Sequence, residues 1–219
     1  MRKVRVMYKK FGRAIYISHL DIMRTFQRVL TRAGIAVKHT EGFNPHPYIS
    51  IALPLSLGYT GVCEFLDMVI ENDMPNEEIA SRMNSTLPEG IEVISVYENY
   101  RPVRDIAYSG YEISMEYDEG LPLSAIKKLS ELFSKEEIVV LKKSKRGEVE
   151  TNIAPLIKLF EVSAGEGVLN AKAVLAAGSA SLNPEYLIKA IEKYLPDCGP
   201  DFAEYTRVDV FDTDMKPFR

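Results

Sequence analysis

The stretch from Ser18 to Gly34 constrains the fold more than any other. Ile22, Phe26, Val29, Leu30 and Ala33 recur at helical spacing and fall on one side. Ser18 stands where an N-cap belongs, with Asp21 three residues on as an acidic variant of the capping-box residue, and Gly34 follows as a stop. This pattern predicts a helix over 19–33. Its single apolar stripe cannot stay in water and must lie on another element. The preceding stretch, Arg2 to Tyr8, alternates, with Val4, Val6 and Tyr8 on one face, and so supplies a strand for the helix to cover.

The rest of the chain extends this β-then-α start. Tyr48 to Leu57 begins as a strand, with Pro54 forcing an edge or a bend. Val62 to Ile70 reads as a strand, Pro75 to Met83 as a helix and Ile91 to Tyr97 as a strand. The first half is thus β-α-β-β-α-β, the order of a ferredoxin-like unit. In the second half, Tyr108 to Tyr117 is a strand and Ser124 to Leu132 a helix preceded by Pro122. Four short strands follow, at 138–142, 148–153, 157–162 and 168–175. A helix opens at Asn183-Pro184, with Pro184 at its first position, and Tyr205 to Phe211 is a last strand. The expected fold class is α+β, with two ferredoxin-like units in tandem and the second elaborated. Residues 1–100 form the first and 101–219 the second, and the chain turns polar between Asn99 and Arg104.

Charge is unevenly spread. Residues 1–50 hold ten Lys and Arg against Asp21 and Glu41, a balance of +8, which leaves −12 on the remainder of a chain whose net charge is −4. A basic first quarter on an acidic body marks either a localised anion-binding face or a solvated basic surface. No apolar run approaches the ~20 residues that cross a bilayer, and the basic N-terminus lacks the apolar core of a signal peptide. A cytoplasmic protein away from membranes is expected, with Cys63 and Cys198 as reduced thiols in no ligand-like spacing.

All three histidines, His19, His39 and His46, lie between Tyr16 and Leu57. The same stretch carries Arg24, Arg28 and Arg32, spaced by four so that they stack along one helix face. It also carries the stiff tract Gly42-Phe43-Asn44-Pro45-His46-Pro47. Three guanidiniums along ~12 Å of helix match successive phosphates, which arginine grips bidentately. Asn44 adds both a donor and an acceptor. His19, Arg24, Arg28, Arg32, Asn44 and His46 are therefore the candidate ligand-binding residues, supported by Lys38 and His39. Salt bridging of the arginines to the acidic body is the competing reading. A metal site from His19, Asp21, His39 and His46 matches no standard spacing, so no metal or cofactor is expected. The serine-containing segments at 81–88 and 178–184 lack an adjacent histidine, no nucleotide-binding glycine pattern occurs, and no catalytic residue is assigned. The basic turn Lys142 to Arg146 is a second phosphate-contact candidate, read first as a solvated hairpin tip.

Together these motifs carry a resemblance. Tyr16-Ile17-Ser18-His19-Leu20-Asp21, Arg24 and Gly42 to Pro47 resemble the radical-SAM-linked family, a domain of unknown function. Pro54-Leu55-Ser56-Leu57-Gly58, Glu64, Asp67 and Ser181-Leu182-Asn183-Pro184 fit the same pattern. The resemblance implies an accessory protein encoded beside, or fused to, a radical SAM protein, and it brings no substrate or catalytic residue. A radical SAM cluster needs three closely spaced cysteines, and this chain has two. Any radical step therefore belongs to a partner. The expected function is an accessory, substrate-binding subunit of a radical SAM enzyme in RNA (tRNA or rRNA) modification or processing. The alternative is an RNA-processing or modifying enzyme using His19, Asp21 and His46.

Overall fold

Four strands and two α-helices, among the described residues, make the first unit. They are β1 (Arg2–Lys10), α1 (His19–Arg32), β2 (Ile49–Ile51), β3 (Thr60–Ile70), α2 (Asn76–Asn84) and β4 (Ile91–Glu98). The computed structural model describes residues 1–99, 101–121, 124–144 and 147–219. Pro122, and Lys145 and Arg146 of the expected basic turn, lie outside the described residues. The chain divides into two units, 1–105 with Arg219, and 106–218.

In the first unit every strand pair is antiparallel and the order is β4-β1-β3-β2. Val4 and Val6 stand opposite Met68 and Leu66 on β3. These four side chains and Tyr8 are buried with Ile22, Phe26, Val29 and Leu30 of α1 and with Ile79 and Met83 of α2. Phe26 is wholly buried, and its ring meets that of Tyr8 edge-on at 4.9 Å between centroids.

Both ends of α1 are finished by local chemistry. Ser18 Oγ accepts from the Asp21 N–H. At the far end the Gly34 N–H donates to Thr31 O and the Ile35 N–H to Leu30 O, the paired bonds of a Schellman stop. Gly34 holds the left-handed φ of 65° that this stop requires. Arg82 of α2 adds a guanidinium bond to Ala33 O.

Several expectations change at the edges of elements. The stretch 48–57, expected to begin as a strand with an edge or a bend at Pro54, is a strand over Ile49–Ile51 and bends before Pro54. Arg5, on the side of β1 expected to be polar, is buried at 1% exposure. Its Nε and Nη2 donate to Asp67 Oδ1 and Oδ2 at 2.6 and 2.8 Å, and Nη2 also reaches Arg101 O. The β1–β3 register sets Arg5 directly opposite Asp67, so burial of the charge is matched by a bidentate partner.

The second unit contains β5 (Tyr108–Glu116), α3 (Ala125–Phe133), β6 (Val139–Ser144), β7 (Gly147–Asn152), β8 (Ile157–Ala164), β9 (Val168–Ala176), α4 (Glu185–Tyr194) and β10 (Phe202–Phe211). Its main strands run β10-β5-β9-β8, and β6 and β7 pair as a separate ribbon. Helix α4 begins one residue later than expected. Pro184 is its N-cap, and Asn183 Oδ1 accepts from the Glu185 N–H. The whole is an α+β fold with mainly antiparallel pairing.

Truncating the central side chain of the first unit measures how much α1 depends on the sheet. Phe26→Ala is expected to cost about 3–5 kcal/mol in urea unfolding, the usual range for a buried phenylalanine. A loss below about 1 kcal/mol would contradict this packing.

Candidate functional site

With its apolar stripe on the sheet, α1 turns its other side to solvent. Arg24, Arg28 and Arg32 are all exposed there. The row starts in a small polar chain at the helix N-terminus. Ser18 Oγ donates to Asp21 Oδ2 at 2.7 Å, and Arg24 Nη1 donates to Asp21 Oδ1 at 2.9 Å. The Ser18 hydroxyl first, and the Arg24 guanidinium next, hold the Asp21 carboxyl below its ordinary value. An exposed pair of this kind contributes little stability; it orients Arg24 and partly offsets its charge. The side chains of Arg28 and Arg32 form no hydrogen bond or close ion pair with any described residue, though the Arg28 charge also helps hold the Asp21 carboxyl down.

The facing wall comes from residues 37–48. Lys38 N–H donates to Val69 O and Tyr48 N–H to Lys38 O, which ties this segment to β3 and closes it on itself. His39 bridges to Pro47. His39 Nδ1 lies 2.9 Å from Val37 O, a carbonyl that can only accept, so that nitrogen carries the proton. One step further out, the Thr40 N–H donates to His46 O, and the His46 N–H donates to Thr40 Oγ1. His46 Nδ1 sits within reach of Thr40 Oγ1 and Asn44 O. Gly42 takes a φ of 130°, a backbone shape that a side chain there would strain.

Between helix and wall lies an open groove of about 490 Å³. It is lined by Arg24, Gln27, Arg28, Thr31 and Arg32 of α1 and by His39 and Pro47. No carboxylate is among the lining residues. The three expected arginines are thus brought together, with His39 facing them. His19, Asn44 and His46 are exposed but do not line the groove. His46 is instead turned back onto its own loop. Gln27 and Thr31 escaped the reading by fours. They sit at the i+3 and i+7 positions counted from Arg24, so a full helical stripe would have found them.

Among the described residues no three His, Cys, Asp or Glu side chains are grouped as a metal would need. Asp21, offered as one ligand or acid, is committed to Ser18 and Arg24. The second unit has a different depression of about 560 Å³, where Lys172 stands in register between Glu112 and Glu161. Two carboxylates around one ammonium make it unsuited to an anion.

The family model described as an uncharacterized protein conserved in bacteria (DUF2344) matches residues 3–184 of the chain. No curated protein matches it in sequence. Among solved structures, a chain from the crystal structure of a Cbf5-Nop10-Gar1 complex aligns over 94% of this chain and 48% of its own, with a TM-score of 0.53 and 12% identity. The chain therefore spans about half the length of that neighbour, and the likeness is one of fold. A chain from the crystal structure of an unknown protein from Galdieria sulphuraria aligns over 97% of this chain and 98% of its own at 13% identity, but its TM-score is 0.27. No helix among the described residues is long and apolar enough to cross a membrane.

The cap chain gives a direct electrostatic check. Asp21 keeps its charge to lower pH in the folded chain than in the unfolded one, so its stabilising effect is present above the ordinary value of 3.8 and fades as pH falls below it. Ser18→Ala is expected to move the Asp21 titration, followed by carboxyl NMR shifts, back up toward that value. An unmoved titration would show that Ser18 does not set it.

Proposed function

We propose a function for a chain that belongs to the DUF2344 family of uncharacterized bacterial proteins: its α1 groove holds the phosphate backbone of RNA. The observation that carries this reading is the groove's lining, three guanidiniums and an imidazole with no carboxylate among them. Arg24, Arg28 and Arg32 climb by about 6 Å per step. Each can present two parallel N–H donors to one phosphate, a geometry lysine lacks. Gln27 and Thr31 stand between the arginines as neutral hydrogen-bonding groups.

The chain acts, in this reading, as an accessory subunit that binds substrate for a radical SAM enzyme in RNA (tRNA or rRNA) modification or processing. The resemblance of its motifs motivates the radical SAM partner. The division of labour follows from cysteine count: two cysteines, both buried, cannot hold the three-thiolate cluster. Two buried free thiols also fit a cytoplasmic setting. Each unit reads as a ferredoxin-like platform, the second elaborated by the β6–β7 ribbon. The support is that β10-β5-β9-β8 repeats the order β4-β1-β3-β2.

The test is a titration of the wild type and an Arg24→Ala/Arg28→Ala double variant with bulk RNA and with polyphosphate, at two salt concentrations. Wild-type affinity falls as salt rises, because each neutralised phosphate releases counterions. The double variant binds more weakly. On single strands its salt slope is shallower by about 0.7 for each phosphate it no longer neutralises. Equal or salt-insensitive binding by the two proteins would turn the groove over to a protein partner.

A further inference from the structure

The loop that rises from the groove's wall carries a fully exposed aromatic ring. Phe43 is the most exposed large hydrophobic residue among those described, at 110% of its reference area. It sits at the tip of the 40–46 loop, whose base, His39 bridged to Pro47, is one wall of the groove. The loop does not let the ring hide. Thr40 and His46 close it through two backbone N–H bonds. Gly42 supplies the left-handed turn just before Phe43, and Pro45 stiffens the return limb. Phe43 is four positions along the chain from either wall residue, so its Cα lies within about 14 Å of both.

We infer that Phe43 is a base-stacking platform and that the ligand of the adjoining groove is single-stranded RNA. This rests on the phosphate reading given above and narrows it. Guanidiniums that track a backbone beside an aromatic face that takes a base are the two components of single-strand binding. In a duplex the bases are stacked on one another inside the helix, and a ring projecting from a loop tip finds no open base face. A bare polyphosphate offers no base at all. Charge favours an anionic ligand over a basic or apolar protein segment, and the exposed ring beside it favours an anion that carries aromatic bases. Arg28 and Arg32 have no ion-pair partner among the described residues, and the loop's own carboxylate, the exposed Glu41, does not line the groove. Stacking is indifferent to base identity, so little sequence preference is expected.

The experiment uses four probes: a short oligouridine, the same strand annealed to its complement, an abasic strand of equal length, and polyphosphate. Each is titrated by fluorescence anisotropy into the wild type, Phe43→Ala and Phe43→Tyr. Because Phe43 is fully exposed, neither substitution touches the core. The wild type should bind oligouridine about ten-fold more tightly than the abasic strand. Phe43→Ala should erase that margin while leaving abasic affinity, polyphosphate affinity and the salt slope unchanged, and Phe43→Tyr should keep it. Equal oligouridine binding by wild type and Phe43→Ala, with anion binding intact, overturns the stacking role alone and leaves the ring to a protein partner. A wild type that binds none of the probes overturns the phosphate reading and this inference with it.

Discussion

Everything on the functional side of this chain depends on how α1 lies on its sheet. Phe26 against Tyr8, with Ile22, Val29 and Leu30 beside it, fixes the helix's rotation about its own axis. A helix has one rotation at a time. Once its apolar stripe is buried, the residues at 24, 28 and 32 point the other way without further instruction. The interaction that stabilises the first unit is therefore also the one that aims the arginines. The caps act in the same direction. Ser18 and the Gly34 stop define where the helix begins and ends, and Arg82 of α2 bonds the carbonyl of its C-cap, Ala33. A helix free to fray at either end would lose the alignment of Arg24 or Arg32 first.

The second half of the groove is built by different means. Residues 37–48 contribute little to the core, and their order comes from hydrogen bonds. Lys38 is tied to Val69 on β3, and Thr40 and His46 close the loop above it. β3 is in turn locked to β1 by the Arg5–Asp67 pair, in which two short charge-assisted bonds compensate a guanidinium at 1% exposure. The wall that carries His39 and Pro47 is thus referenced to the same sheet as α1. Rigidity on both sides reduces the entropy lost when a flexible polyanion is held.

Much of this was legible in the sequence because it is periodic or local. The apolar stripe of α1, its Ser18 cap and its Gly34 stop are all encoded within a few residues of where they act. The alternation of Val4, Val6 and Tyr8 likewise identified the face of β1 that meets the helix. What escaped depends on partners distant in the chain. Arg5 looks like a solvent residue until Asp67 is placed opposite it, and only the β1–β3 register does that. His46 looks like a ligand residue until loop closure gives Thr40 and Asn44 a claim on its ring. The groove's arginines were found by spacing, while Gln27 and Thr31, which share their helical stripe, carry no charge to draw attention to it.

The most direct test of the central claim, that the α1 groove is the RNA-contacting surface, is a map of contact that presupposes no particular residue. The protein would be photocrosslinked to RNA by ultraviolet light, digested, and its nucleotide-bearing peptides located by mass spectrometry. The account predicts adducts on peptides spanning residues 24–47, from Arg24 through Pro47. Adducts confined to the second unit, or to parts of the first outside that span, would contradict it.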